Sequence, residues 1–365
     1  MRKQVIMFVM HELELGGAER VVSNLVNNLD RERFEIHLCL FKKKGVLIET
    51  LRDDITLYDL KASRVITSGH KLFFLILKLK PNTVFSSITH VNLLMGLFIP
   101  LLRVFTKRTK FITREVNIPS IRAKYMKKSK RLDYFYKYII GNFDHIVAQS
   151  NYMKEDICKS YKVDENRIKV INNPLDIEFV ERSILKDRDK SCFKKDDTVK
   201  LLAVGNFRMQ KGFDILLESI SYLDDRFHLY IIGDGAMRGE LESIIRDLNI
   251  SNRVTLLGFQ QNPYIYMKQS DIFLLSSRYE GFPNVVLEAN SCGRFVIAFE
   301  VAGVDREIIQ EGINGSLVEF ENKREFAKAI ERESHIEHNE KDIVETTQRY
   351  RVENIIKEYE KLFII

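Results

Sequence analysis

Short apolar segments alternate with helix-forming segments along almost the whole of this chain, and this alternation limits its possible folds. Amphipathic helix patterns such as Ala18–Leu29 and Lys71–Lys80 separate apolar segments that have the length and composition of buried strands. In the first half these segments are Gln4–Val9, Glu35–Leu40, Thr83–Ser86, Lys110–Arg114, His145–Gln149 and Lys169–Ile171. Because strands that alternate with helices form a parallel sheet covered on both faces, the pattern predicts a doubly wound α/β domain.

The same alternation is repeated in the second half of the chain. Its predicted strands are Val199–Val204, His228–Ile232, Arg253–Leu257, Asp271–Leu275 and Phe295–Ala298. Pro174 cannot donate a hydrogen bond to a sheet, and Glu181–Asp197 is charged and weakly patterned, so a boundary is expected here. We assign residues 1–175 to an N-terminal domain and 176–345 to a C-terminal domain. Residues 346–365 form a C-terminal helix, whose return to the N-terminal domain the sequence leaves open.

Several features bear on the cellular compartment. The four cysteines contain no C-x-x-C pair, which fits a reducing cytoplasm and disfavours a structural zinc site. The apolar run Gln4–Met10 is followed by His11 and Glu12 instead of small residues, so it indicates a first strand and no signal peptide. The longest apolar stretch, Val91–Leu102, is shorter than the roughly 20 residues that cross a bilayer and predicts a buried helix. A protein that does not span the membrane is expected.

Positive charge is concentrated in the N-terminal half. Residues 1–175 contain 31 Lys and Arg against 17 Asp and Glu, a net charge of +14, whereas residues 176–365 contain 26 against 34, a net charge of −8. Within Ser120–Tyr138, six cations and no acid lie between Ser120 and Arg131, interleaved with apolar residues. A solvated helix face is one interpretation. The interleaving favours an amphipathic helix on an anionic membrane, and the lack of a recognised motif disfavours nucleic acid. We expect a cytoplasmic protein, peripheral at the inner face of the plasma membrane.

Two glycine-containing turns each follow a predicted strand and precede a helix. Gly16 and Gly17 would let backbone N–H groups approach an anion at a helix N-terminus, although a tight turn alone also explains them. The second turn, Gly205–Gly212, places Arg208 and Lys211 three residues apart, which suits charge-assisted binding of a diphosphate. A basic surface loop is its alternative. Neither turn is a G-x-G-x-x-G fingerprint, which disfavours a nicotinamide dehydrogenase.

The segment Glu280–Glu288 carries the strongest functional signal. The predicted strand Asp271–Leu275 ends shortly before it, a Gly/Pro turn follows, and a helix is expected to begin near Asn284. Backbone N–H groups of Phe282 to Val285 are predicted to face an anion at this helix N-terminus. Glu288 on the helix has two carboxylate oxygens that suit the two hydroxyls of a ribose. We interpret Gly233-Asp234-Gly235, another strand-to-helix turn, as structural.

Together these motifs resemble those of the retaining glycosyltransferases of family 4, which have the GT-B fold. The resemblance covers nearly the whole chain, and the Glu280/Glu288 pair is its most diagnostic part. The other segments that carry it are Gly16–Arg20, Lys211-Gly212, Gly233-Asp234-Gly235, Leu257-Gly258-Phe259 and Gly312–Val318. The resemblance implies an α/β architecture of two facing Rossmann-like domains with the donor cleft between them.

The resemblance also implies roles for individual residues. Glu288 would bind the donor ribose, Glu280 would lie beside the donor sugar, and Arg208 and Lys211 would hold the diphosphate. The residues expected to bind the nucleotide-sugar are Gly16, Gly17, Asn206, Gly258, Phe259, Gly281, Phe282, Pro283, Asn284, Val285 and Glu288, of which Gly258 and Phe259 would edge the nucleobase. Many members have Arg where this chain has Asn206, and Arg208 is the candidate to supply that charge.

The implied reaction is metal-independent transfer of a sugar with retained anomeric configuration. Arg208, Lys211 and helix amides would stabilise the departing diphosphate, so that no metal and no cofactor is required. The donor is expected to be a nucleotide-diphosphate-sugar, with UDP-sugar favoured over GDP-sugar. The acceptor is expected to be a glycan on a lipid carrier, in the biosynthesis of a bacterial surface polysaccharide such as capsule or O-antigen.

His90 is the candidate catalytic residue of the N-terminal domain, although a structural histidine is an equal alternative. His90 and Asn92 follow the predicted strand Thr83–Ser86, and Arg114, Glu115 and Asn117 follow the strand Lys110–Thr113, at the same edge of the sheet. A non-catalytic subunit that binds nucleotide-sugar is the alternative function. The presence of Glu280, Lys211 and Glu288 favours the enzyme.

Overall fold

The chain folds into two compact units, as seen in a computed structural model that describes residues 3–14, 16–62, 65, 68–125, 130–304 and 307–364, with backbone only at 130–134. The first unit comprises Met1–Pro174 and Val352–Ile365, and the second comprises Leu175–Arg351. The second unit therefore extends beyond residue 345, where its end was predicted. The reason is local: the amide of Leu175 donates to the carbonyl of Tyr350 at 2.7 Å, which holds 346–351 to the start of that unit.

The first unit is built on a seven-stranded parallel sheet with the order β3-β2-β1-β4-β5-β6-β7. Its strands are β1 Gln4–Met10, β2 Phe34–Leu40, β3 Thr56–Asp59, β4 Thr83–Ser87, β5 Lys110–Arg114, β6 His145–Ala148 and β7 Ile168–Val170. Its helices are α1 Gly17–Asn28, α2 Gly69–Leu79, α3 Thr89–Phe105, α4 Pro119–Tyr125, α5 Lys130–Ile139 and α6 Asn151–Tyr161. The two faces of the sheet carry separate apolar clusters, one with α1 and one with α2 and α3.

The second unit is built on a six-stranded parallel sheet with the order β10-β9-β8-β11-β12-β13. Its strands are β8 Val199–Val204, β9 Phe227–Ile232, β10 Val254–Gly258, β11 Ile272–Leu275, β12 Phe295–Glu300 and β13 Gly315–Glu319. Its helices are α7 Ile177–Lys186, α8 Phe213–Ile220, α9 Arg238–Asp247, α10 Tyr264–Gln269, α11 Asn284–Ser291, α12 Lys323–Glu333 and α13 Glu340–Glu345. Both units thus have the doubly wound α/β architecture that the alternation predicts.

The last helix, α14 Val352–Phe363, packs on the sheet of the first unit. The rings of Tyr359 and Phe363 lie 5.8 and 5.7 Å from the ring of Phe85 in β4. Glu360 accepts a 2.9 Å hydrogen bond from the amide of Asp30, which follows α1. The chain therefore completes the core of its first unit with its last helix.

Helix α3 differs from the buried helix predicted for Val91–Leu102. Val91, Met95 and Ile99 are buried against the sheet, but Leu97 and Leu101 are more than half exposed. The prediction was wrong for this face because apolar residues occur all round the helix, whereas the sheet covers one side. No helix within the described residues is long and apolar enough to span a bilayer.

Candidate functional site

The two loops with the strongest functional signals lie side by side in the second unit. One loop follows β8 and contains Arg208 and Lys211, and the other follows β11 and contains Glu280. Because β8 and β11 are adjacent parallel strands, their loops emerge at the same edge of the sheet. Gly258 and Phe259, at the end of β10, lie further along that edge.

An ion pair joins these two loops. The ammonium of Lys211 lies 2.7 Å from Oε1 of Glu280, and the hydroxyl of Ser277 donates to the same oxygen at 2.6 Å. The side-chain amide of Gln210 donates to the other oxygen of Glu280 at 3.4 Å. Glu280 is buried, with 6% of its surface exposed, while Lys211 remains partly open to solvent. The structure therefore holds the carboxylate of Glu280 in one orientation and leaves part of the ammonium accessible.

Gly212 is the reason that the two loops approach so closely. Its φ is +63°, and a Cβ at this position would overlap the carbonyl oxygen of Ser276. The hydroxyl of Ser276 in turn donates to the carbonyl of Lys211 at 2.9 Å. Only glycine meets both requirements, the left-handed backbone and the backbone contact.

A second ion pair holds the same loops together from the side of α8. Arg278 donates to both carboxylate oxygens of Asp214 at 2.8 and 2.6 Å, and its amide donates to the carbonyl of Gln210 at 2.8 Å. Burial raises the pKa of Asp214, but the hydrogen bonds and charge of Arg278 outweigh it and leave that pKa below its usual value. Gln210 and this pair were not predicted, because their partners lie more than 60 residues away in the chain. Ser277 was not predicted as a site residue either, although its partner Glu280 lies only three residues away.

The N-terminus of α11 offers fewer free backbone N–H groups than the sequence predicted. The sequence predicted a row of N–H groups from Phe282 to Val285, but Pro283 has no N–H, and the amide of Asn284 donates to the carbonyl of Phe282 at 3.0 Å. Two of the four predicted donors are thus not available to a ligand. Gly281 and Val285 are partly exposed there, and Glu288 lies on the next turn of α11, half-buried.

The remaining predicted donor-binding residues of the second unit lie at the same edge of its sheet. Asn206 and Arg208 are exposed in the loop after β8, and Phe259 is 65% exposed after β10. Gly233-Asp234-Gly235 packs against the loop after β8, since the carbonyl of Asp234 accepts from the amide of Phe207 at 2.9 Å and a Cβ at Gly233 would overlap the carbonyl of Gly205. This supports the structural interpretation of that turn.

The Gly16-Gly17 turn of the first unit contains a carboxylate of the chain itself. Gly16 is the N-cap of α1, and Glu19, three residues on, folds back so that a Cβ at Gly16 would overlap its carboxylate. Glutamate at this helix position commonly reaches back to the N-terminal amides. Burial raises the pKa of Glu19, and Glu12 and Glu14 add to the effect. The predicted anion site is thus occupied by Glu19, and a role of this turn in donor binding stays a prediction.

His90 lies exposed in the first turn of α3. Its ring packs edge-on to the ring of His11, with 5.1 Å between centroids. Desolvation lowers the pKa of His90, and the charge of His11 lowers it further. The structure thus brings His11 and His90 together, at the carboxyl ends of β1 and β4 respectively.

Three other polar residues of that edge are buried rather than open to a ligand. Arg114 bonds to Asn173, and Glu115 accepts hydrogen bonds from Tyr136 and, at 3.4 Å, from Asn92. Burial raises the pKa of Glu115, although the charge of Arg122 and the Tyr136 bond oppose it. These residues hold the ends of β5 and α5 in place.

The chain is similar to known proteins in sequence and in structure. The family model described as Glycosyltransferase Family 4 matches residues 15–179, and the model described as Glycosyl transferases group 1 matches residues 186–350. The N-acetylgalactosamine-N,N'-diacetylbacillosaminyl-diphospho-undecaprenol 4-alpha-N-acetylgalactosaminyltransferase of Campylobacter jejuni is 29% identical over 88% of this chain and 87% of its own length. The lipopolysaccharide 1,6-galactosyltransferase of Escherichia coli K12 is 31% identical over 53% of this chain and 55% of its own.

The chain also shares its fold with a protein of known structure. Anabaena HepE in complex with UDP and glucose superposes with a TM-score of 0.79, at 18% identity, over 98% of each chain. At this identity the likeness concerns the fold.

Proposed function

Because the chain belongs to glycosyltransferase family 4 and has the GT-B fold, we propose that it moves a sugar from a UDP-sugar to a glycan acceptor with retention of anomeric configuration. The observation that carries the donor part is the Lys211–Glu280 pair at the carboxyl edge of the second sheet. Ligands of doubly wound sheets bind at this edge. UDP is the proposed nucleotide because Anabaena HepE, which shares the fold, was solved with UDP.

In the proposed donor complex, Lys211 binds the diphosphate while it keeps its bond to Glu280. An ammonium has three N–H donors, so one suffices for Glu280 and others are left for phosphate oxygens. Arg208, exposed in the same loop, supplies a second cation. It takes the role of the Arg that many family members have at the position of Asn206. Glu288 accepts hydrogen bonds from the ribose hydroxyls, and Phe259 flanks the base.

The transfer step then needs no residue that bonds to the sugar. The acceptor oxygen bonds to the anomeric carbon on the face from which the diphosphate leaves, the bond from that carbon to the diphosphate oxygen breaks, and the acceptor proton passes to the departing diphosphate. Lys211 and Arg208 stabilise the charge that develops on the leaving group. Since these cations take the place of a metal ion, we propose that activity persists in excess EDTA.

We propose a lipid-linked glycan as acceptor, in the synthesis of a bacterial surface polysaccharide. The Campylobacter relative is named for an acceptor on diphospho-undecaprenol, and the Escherichia coli relative for lipopolysaccharide. His90 is the proposed contact to the acceptor in the first unit. The basic segment Ser120–Tyr138 is proposed to lie on the membrane; its residues 126–129 and the side chains of 130–134 lie outside the described part.

The test is UDP-sugar turnover, as hydrolysis or as transfer, by the wild type and by Glu288→Ala and Lys211→Ala. Both variants should lose most of the activity, whereas Lys328→Ala, which removes an exposed cation of α12, should keep it. Equal activity in all four proteins would overturn the site assignment. UDP-sugar binding without any turnover by the wild type would favour the alternative, a non-catalytic binding subunit.

A further inference from the structure

The outer side of α3 is apolar and exposed over its second half. Leu97, Leu101 and Val104 have 56%, 54% and 60% of their surface exposed, and they follow each other at helical spacing. We call these three residues the outer face of α3. Phe105, at the end of the helix, is equally exposed. Scattered exposed apolar residues are ordinary, but a continuous stripe marks a surface that something covers.

Neighbouring helices extend this apolar surface on both sides. On the side of α2, Phe73 packs edge-on to Phe98 of α3, and Phe74 beside it is 65% exposed. On the side of α5, Gly96 of α3 lies against Ile139, and Phe135 and Tyr138 are more than 60% exposed. The exposed apolar residues of α2, α3 and α5 therefore belong to one side of the first unit.

The charge around this surface identifies the kind of partner. Residues 60–114, which form α2, β4, α3 and β5, contain ten Lys and Arg and no Asp or Glu. Lys78, four residues after Phe74, is exposed on α2, and Lys107 and Arg108 are exposed just beyond the end of α3. Within the described part of the chain these three side chains take part in no ion pair. An apolar stripe flanked by unpaired cations suits a surface with anionic headgroups over hydrocarbon.

Two other occupants fit less well. A symmetric contact with a second copy would bring the same predominantly basic surface against itself, which like-charge repulsion disfavours. Nucleic acid would match the charge but leave the apolar stripe uncovered, since interfaces with nucleic acid are polar.

We propose that the outer face of α3, with Phe74 and Phe105 beside it, inserts into the headgroup region of an anionic lipid bilayer. This surface adjoins the basic segment Ser120–Tyr138, to which Phe135 and Tyr138 belong, but its binding depends on apolar side chains that α3 itself presents. The proposal rests on the proposed function in one respect: the lipid-linked acceptor is the reason for the enzyme to bind a membrane. A bilayer held here would keep the enzyme in the plane where that acceptor lies.

The first test is flotation with vesicles of phosphatidylglycerol and phosphatidylcholine. The wild type should float with the vesicles, less so in high salt or with phosphatidylcholine alone. The triple variant Leu97→Gln, Leu101→Gln, Val104→Gln should lower the partition coefficient by roughly tenfold or more, since three apolar side chains no longer enter the bilayer. The control is Val46→Gln with Leu185→Gln, which removes two equally exposed apolar residues elsewhere and should bind as the wild type does.

The second test locates the contact. The chain contains no tryptophan, so Leu101→Trp and Leu185→Trp each introduce a single tryptophan, whose emission can be excited apart from that of tyrosine. With vesicles, the emission of the Leu101→Trp variant should shift to shorter wavelength and be quenched by brominated lipid, and that of Leu185→Trp should not. Unchanged emission at position 101, or wild-type partition of the triple variant, would overturn the proposal. So would a concentration-dependent dimer that the triple variant abolishes, because the face would then bind a second copy.

The proposed function is checked separately in the same proteins. UDP-sugar hydrolysis by the triple variant in the absence of vesicles should equal that of the wild type, because the outer face of α3 carries no donor-binding residue. Loss of vesicle binding with hydrolysis intact supports the docking surface alone. No hydrolysis by any of the proteins, with vesicle binding intact, would count against the proposed function and leave the docking surface standing.

Discussion

At the scale of single residues, Lys211 and Glu280 act as one unit. From the sequence, Lys211 was expected to bind the diphosphate and Glu280 to contact the donor sugar. No rule of sequence spacing predicts that the two side chains pair. In the structure their charged atoms lie 2.7 Å apart, and Glu280 is nearly buried. A buried carboxylate that loses its cation is destabilised. Replacement of one side chain therefore changes the electrostatic environment of the other.

This coupling predicts non-additive mutant effects. Lys211→Met should weaken UDP binding by about tenfold to a hundredfold, the size expected of a charge-assisted hydrogen bond. Glu280→Gln should weaken it less, because Lys211 then lacks its orienting partner but keeps its charge. The double variant, measured by calorimetric titration with UDP, should bind about as weakly as Lys211→Met alone. Strictly additive losses would show that the two side chains work independently.

The His11–His90 contact makes a prediction about protonation. Partial desolvation and the charge of His11 hold the pKa of His90 below its ordinary value, so His90 is mainly neutral at pH 7 and able to accept a proton. Replacing His11 by Asn removes the like charge and should raise the pKa of His90. Histidine resonances followed through an NMR pH titration measure both values. A pKa of His90 that stays the same or falls in His11→Asn would contradict this arrangement.

At the scale of elements, the turns decide the shape of the donor site. Gly212 has a left-handed backbone and touches the backbone of Ser276, whereas Gly239 in α9 has open space around it and no positive φ. The two glycines therefore form a matched pair, one required by its conformation and one tolerant of a side chain.

Gly212→Ala should destabilise the second unit by about 2 kcal/mol or more, because alanine is strained at this φ and its Cβ overlaps Ser276. It should also weaken UDP binding, since the loops that carry Lys211 and Glu280 must separate. Gly239→Ala should be neutral or stabilising by up to about 1 kcal/mol, as expected inside a helix. Urea unfolding measures both changes, and equal stability of the two variants would argue against the loop contact.

Much of the architecture follows from local pattern alone. The strands that the sequence predicted are strands in the structure, because buried parallel strands are apolar over their whole length. Two edge strands were missed. The strand β3, Thr56–Asp59, is short and partly exposed, and β13, Gly315–Glu319, begins with Gly and Ser and ends with Glu, so both apolar patterns are weak. The exposure of α3 and the Arg278–Asp214 pair depend on contacts between segments distant in the chain, which no local pattern contains.

At the scale of the whole molecule, the first unit depends on the end of the chain. Phe363 is fully buried, and its ring lies 5.8 Å from that of Phe8 in β1 and 5.7 Å from that of Phe85 in β4. Folding of this unit therefore joins residues more than 350 positions apart. The sequence left the return of this helix open because amphipathic periodicity does not name the surface that a helix covers.

Phe363→Ala should cost about 3 to 5 kcal/mol of unfolding free energy, the usual loss for a buried aromatic ring. Amide exchange should accelerate in β1 and β4, because these strands lose a packing partner. Lys357→Ala, on the exposed side of the same helix, should change stability by no more than about 0.5 kcal/mol. Exchange that stays unchanged in β1 and β4 would contradict the packing of α14 on this sheet.

The carboxyl edge of the second sheet is proposed to bind the nucleotide-diphosphate part of a sugar donor. Calorimetric titration of UDP and GDP into the wild type and into Glu288→Ala tests it most directly, with EDTA present throughout. UDP should bind the wild type more tightly than GDP does, without a metal ion, and Glu288→Ala should lower the affinity for UDP at least tenfold through the lost ribose contact. Equal UDP affinity in the two proteins, or no binding of either nucleotide by the wild type, would contradict it.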